Sequence, residues 1–313
     1  CDTPAEAIGK APDGGAVAIL ADGYPEQPTP LDALLLEKAV EKNLRLYVEY
    51  PVALPGLDVG KPVHDKFLRG VVVSEFFGQD LRPMRIAAIS GCSHVPVNAV
   101  NPHMVLARVV RVDTAVFGLD NTPTTPLLFE HCNGNLLVAT TKLSQFVTGR
   151  YMPVKAWQTI WQAILMWLLK PGAPLPVLHW KATVHPVFAP GEALPKDAER
   201  QALRCVADWM IESRVFRHAD WPAEVMGRSL RFNTLLDRPG VDCPCGDGSL
   251  GVLEGFSSTI RADGSQPMRY AVRFDCAGEV AMLMGFDAVP NNRAKHAAIA
   301  SNLLAYWLLK SDL

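Results

Sequence analysis

The chain has 313 residues, 49% of them hydrophobic and 20% charged, with a formal net charge of −2. That composition excludes a disordered chain, and the near-neutral balance gives no electrostatic reason to expect a nucleic acid or an anionic membrane as partner. Lys and Arg are spread along the sequence, not blocked together.

The first residue is Cys1 and not Met, which is how a mature bacterial lipoprotein begins. A lipid anchor at Cys1 is therefore an expectation, and with it a periplasmic or cell-surface location. Ala16-Val-Ala-Ile-Leu20 reads as a buried strand, followed by the loop Asp22-Gly-Tyr-Pro-Glu-Gln-Pro28. The pattern then predicts a helix over 31–42 and a strand over 44–50. Further strands are predicted at 70–74, 85–90, 114–117 and 136–141.

Next comes the apolar segment 154–169, whose positions 157, 160, 161, 164, 165 and 168 repeat at helical spacing. It carries Lys155, Gln158 and Gln162 and falls short of the roughly 20 residues that cross a bilayer, so a buried amphipathic helix is expected and no transmembrane span. Alternating strands and helices over 1–170 imply an α/β domain, a mostly parallel sheet with flanking helices. A Pro-rich linker over 171–196 follows, long for a loop inside one domain. A smaller, mainly helical partial domain occupies 197–313, with helices predicted over 198–213, 276–284 and 294–309.

Seven cysteines are too few for a disulfide scaffold in a chain of this length. Cys243-Pro-Cys245 has no second Cys pair or His cluster near it in sequence, and no metal or other cofactor is expected. No Gly-x-Gly-x-x-Gly or phosphate loop is present. In Ile89-Ser-Gly-Cys-Ser-His-Val-Pro-Val97, Cys92 follows a strand and a glycine as a nucleophile does on a strand-to-helix elbow, with His94, His103 or His131 as base. Pro96 and its β-branched neighbours do not open a helix, so the elbow is broken and a buried small residue is the competing reading.

Asp22-Gly-Tyr-Pro-Glu-Gln-Pro28, Val73-Ser-Glu-Phe-Phe-Gly78 and 137–151, with the broken elbow, resemble the class I glutamine amidotransferase-like domains that have lost catalysis, including those joined to carbohydrate-active enzymes. Ligands in open α/β sheets bind at the carboxyl ends of the strands. There the strand reading places Asp22, Tyr24, Glu26, Ser74, Glu75, Lys142, Ser144 and Arg150, groups suited to a polar ligand such as a saccharide. Salt bridges from Lys142 and Arg150 to Glu26 or Glu75 are the alternative.

Glu254 lies ahead of Ala262-Asp-Gly264, and Asp275 and Glu279 follow it. With Trp209-Met-Ile-Glu-Ser-Arg214, 247–256 and the Ala/Leu-rich helix after them, this resembles the opening helices of an α/α-toroid glycoside hydrolase. Glycoside cleavage takes a protonated carboxyl and an ionised one, about 5 Å or roughly 6.5–9.5 Å apart. Asp275 and Glu279 share a face if helical, and Glu254 could approach across the loop; Arg273 is a further ligand candidate and could instead neutralise one of the acids.

A complete toroid takes far more helices than this stretch supplies. The expectation is the N-terminal portion of a larger extracytoplasmic carbohydrate-active protein, inactive by itself and completed by a missing toroid domain or a homo-oligomer partner. The alternatives are a cysteine hydrolase or amidotransferase acting through Cys92, and an interaction module docking through Trp157, Trp161 and Trp167.

Overall fold

The computed structural model describes residues 1–65, 67–87, 92–111, 113–145, 154–169, 172–174, 177–178, 188, 191–228, 234–257 and 265–311. The chain divides into two compact units, Cys1–His185 and Pro186–Leu313.

The first unit is a seven-stranded sheet in the order β1-β2-β9-β8-β7-β4-β5. Its strands are β1 (Ala16–Ile19), β2 (Arg45–Glu49), β4 (Arg69–Val72), β5 (Ile86–Ala87), β7 (Met104–Ala107), β8 (Thr124–Glu130) and β9 (Leu136–Ala139). β3 (Val63–Asp65) and β6 (Cys92–His94) pair apart from it, antiparallel to each other. The expectation of a mostly parallel sheet is corrected: only β1–β2 and β2–β9 run parallel, and the other four pairings are antiparallel. The sheet is mixed because a run of backtracking strands is inserted between β2 and its parallel neighbour β9.

Alternation along the strands separates two cores. Leu46, Val48, Leu136 and Val138 face one side, with Ile8 of α1 (Pro4–Lys10) and Ala39 of α2 (Ala33–Glu41). Tyr47, Leu137 and Ala139 face the other, under α3 (Val154–Leu168). β2 and β9 are covered on both faces, which is why they read as apolar runs. α2 begins where Asp32 accepts the N–H of Leu34 at 2.9 Å, an N-cap. In α3, Trp157, Ile160, Trp161, Ile164 and Leu168 line the buried stripe, and Trp161 meets Tyr47 edge-on at 5.6 Å. The tryptophans at 157 and 161 are therefore core, which removes them from any docking face.

The strand expected at 114–117 does not form. Thr114 makes one bridge to Arg85, and Val116 and Phe117 are exposed at 53% and 84% before the turn at Gly118. Only Ala115 is buried, against Val71, Ile86 and Val105, so a single position and not an alternating face holds the segment to the sheet.

The second unit is smaller and largely helical: α4 (Ala198–Glu212), α5 (Ala223–Gly227), α6 (Phe274–Ala288) and α7 (Ala294–Ala305), with the antiparallel hairpin β10 (Leu253–Phe256) and β11 (Met268–Val272). Phe216, Trp221, Met268, Tyr270, Met284 and Leu303 fill its core. Gly246 is required by close approach, since a Cβ there would lie 1.9 Å from the Arg217 carbonyl oxygen. At the turn between α6 and α7, Asp287 is fully buried and accepts from Asn291 Nδ2 at 2.6 Å, with His296 Nδ1 at 2.6 Å and Arg293 at 3.5 Å. Arg293 also pairs with Asp208 of α4, so one guanidinium links α4 to the turn between α6 and α7.

Candidate functional site

β1, β2 and β9 run parallel, so the loops that follow them leave the sheet at one end. The last residue of β2, Glu49, is wholly buried there. Its carboxylate accepts the N–H of Ala21 at 3.2 Å, the N–H and hydroxyl of Ser144 at 2.6 Å each, and the Tyr47 hydroxyl at 3.0 Å. Burial pushes the Glu49 carboxyl above its ordinary range, and the donors from Ser144, Ala21 and Tyr47 pull the other way. One side chain thus joins the loop after β1 to the loop after β9. Sequence reasoning passed over it; the available signal was an acid closing an apolar strand.

Beside it, Tyr24 is set by its phenol. The hydroxyl accepts the N–H of Ser93 at 2.7 Å and lies 3.4 Å from the Thr141 hydroxyl, which donates to the Ser93 carbonyl at 2.7 Å. Burial pushes the Tyr24 phenol up to about 12. Its ring meets Tyr50 edge-on at 5.1 Å, and the Tyr50 hydroxyl donates to the Pro25 carbonyl at 3.2 Å. Asp22 and Glu26 flank it in the open, and Lys142 is half-buried on the loop after β9. The structure thus places Asp22, Tyr24, Glu26, Lys142 and Ser144 on the two loops that leave this end of the sheet. Arg150 lies outside the described residues. Ser74 and Glu75 do not join them: β4 is antiparallel to β7, β7 to β8 and β8 to β9, so β4 ends at the opposite edge.

Cys92 is the first residue of β6, and it is 6% exposed. Burial raises its thiol to about 11, so the thiolate that would attack a substrate is suppressed at neutral pH. His94 shares its strand face, with Nδ1 buried and unpartnered among the described residues, and burial lowers its pKa. His131 directs Nε2 to the Pro55 carbonyl at 2.8 Å. His103 lies at the opposite end of the sheet, at the start of β7.

In the second unit, Glu254 of β10 pairs with Arg269 of β11 at 2.8 Å and with Arg273 at 3.5 Å. Arg273 also holds Asp275, in the first turn of α6, at 2.5 Å. Desolvation pushes the Asp275 carboxyl up, but the Cys276 N–H and Arg273 outweigh it and hold it below the usual range. Glu279 follows one turn on and is exposed. Two of the expected acids are thereby gathered around one guanidinium.

Among the described residues no group of three or more His, Cys, Asp or Glu is placed to hold a metal ion, and no helix is long and apolar enough to cross a membrane. Comparison of the chain with protein-family models, curated proteins and solved structures gives no match.

Proposed function

We propose that the chain is a carbohydrate-active protein whose first unit binds a polar ligand, a saccharide, without acting on it chemically. The observation that carries the reading is the pairing of two features at one end of the sheet. Asp22, Tyr24, Glu26 and Lys142 supply acids, an aromatic and a cation on two loops fixed by Glu49, while the cysteine that would make an amidotransferase is enclosed in a strand and held as a thiol. In the second unit, Glu254 and Asp275 serve as acceptors for sugar hydroxyls, oriented by Arg273, and Glu279 extends that polar edge.

A panel of immobilised plant and host glycans tests this. The chain is expected to retain a subset of them and to release no reducing sugar. Replacing Asp22 and Lys142 together by Ala should weaken retention about tenfold or more, the loss expected for hydrogen bonds to charged groups. Failure to retain any glycan at millimolar density overturns the reading, as does retention that ignores the double substitution.

A further inference from the structure

At the edge of the sheet opposite Tyr24, a serine, a histidine and a glutamate far apart in sequence stand in line. Ser74 follows β4, His103 precedes β7 and Glu130 ends β8. The backbone fixes the middle member from both sides: Val73 N–H donates to the His103 carbonyl at 3.0 Å, and His103 N–H donates to the Leu128 carbonyl at 2.7 Å. The side chains then connect. Ser74 Oγ is 3.0 Å from His103 Nδ1, and His103 Nε2 is 3.2 Å from Glu130 Oε1. Phe76 lies flat on the imidazole, ring centres 4.0 Å apart and planes 16° apart, and so fixes its plane.

These contacts define where the protons sit. Glu130 accepts, so Nε2 carries the imidazole hydrogen and Nδ1 is bare. Ser74 Oγ already accepts the Phe76 N–H at 3.2 Å, so its own hydrogen is the one directed to Nδ1. Burial lowers the pKa of His103 against the opposing pull of Glu130, which keeps the ring available as a base. A nucleophile hydrogen-bonded to a base that a third group orients is the arrangement of covalent acyl transfer.

We propose that Ser74, His103 and Glu130 form a nucleophilic centre that hydrolyses small carboxylic esters. Ser74 Oγ adds to the ester carbonyl carbon as its proton passes to His103 Nδ1. Collapse of the adduct breaks the bond to the alkoxy oxygen, which takes that proton and leaves as the alcohol. Water then attacks the acyl carbon, giving its proton to Nδ1; the bond from Ser74 Oγ to that carbon breaks, Oγ takes the proton back from Nδ1, and the acid departs. Glu130 touches only the imidazole and is a positioning residue. The half-buried setting of Ser74 restricts the acyl group to a small one. This centre is independent of ligand binding at the other end of the sheet.

The competing explanation is that Ser74 merely caps the short helical turn Glu75–Asp80, for which only its acceptor oxygen is needed. Aspartate caps as well and has no hydroxyl to acylate. The full chain is therefore treated with a fluorophosphonate probe, the adduct is located by peptide mass spectrometry, and hydrolysis of p-nitrophenyl acetate is followed in parallel. The expected result is an adduct on Ser74, absent from a folded Ser74→Asp variant, and formed at least about a hundredfold more slowly in His103→Gln, the scale of general-base assistance. Glu130→Gln should slow acylation without changing the concentration at half-saturation, and Glu130→Asp should restore part of the rate. An unlabelled Ser74 in the wild-type chain overturns the proposal, and so does labelling whose rate is the same with and without His103. Should Ser74→Asp not fold, the mapped wild-type adduct and its dependence on His103 decide the matter.

Discussion

Glu49 in the first unit and Asp287 in the second are both carboxylates with no exposed surface, and they are satisfied in opposite ways. Glu49 is surrounded by neutral donors: two backbone N–H groups and the hydroxyls of Ser144 and Tyr47. Asp287 is surrounded by His296, Arg293 and Asn291. The first arrangement joins two loops at the end of a sheet; the second locks helices together. A buried acid is thus a positional device in one unit and a structural clamp in the other, and the identity of its partners separates the two.

The largest test of that contrast is Asp287→Ala. It leaves His296 and Arg293 without their shared acceptor, and removing one member of such a buried pair costs about 3–5 kcal/mol. Hydrogen exchange followed by mass spectrometry should show α6 and α7 losing protection while β2 and β9 keep theirs. Equal loss in both units breaks the comparison.

Glu49→Gln should be milder. It sets an amide N–H among donors, and leaving one of them unpaired costs about 1–3 kcal/mol. It also removes a pH dependence of definite sign. Folding raises the Glu49 pKa above its ordinary 4.5, so the native state binds the proton more tightly than the unfolded chain. The contribution is fully present below the unfolded value and is lost as pH rises through the folded one. Denaturant melts from pH 4 upward should therefore show the wild-type advantage over Glu49→Gln shrinking with pH; a constant difference contradicts the assignment.

The smallest effect belongs to Arg273→Gln. This pair of ion pairs is exposed, where screening by water leaves little stability at stake. The melting temperature should hardly move, whereas the Asp275 carboxyl, followed by NMR titration, should climb toward its ordinary range. A melting temperature that falls as far as in Asp287→Ala would place Arg273 among the clamps.

The elements legible in the sequence were those with their own periodicity. The stripe from Trp157 to Leu168 and the doubly buried runs of β2 and β9 declare themselves locally. Strand direction does not, because it depends on which strand lies alongside. β8 also hides itself, since Pro126 interrupts it where the register with β7 shifts. The error in direction carried Ser74 to the wrong end of the sheet. The positions of the candidate residues on the loops after β1 and β9 were readable from the strands before them, but the role of Glu49 was not: its donors Ala21 and Ser144 are 28 and 95 positions away. The tethering of Glu254 and Asp275 was half visible, since Arg273 stood next to them as a candidate neutraliser while Arg269 required the register of the hairpin.

The shared acceptor of Ala21 and Ser144 also governs how this scaffold tolerates engineering. Two loops that hang from one carboxylate cannot be exchanged one at a time without regard to the other. A graft after β9 that lacks a hydroxyl and a free amide at the Ser144 position disturbs the seat of the loop after β1, so libraries built on this end of the sheet must vary the two segments as a matched set.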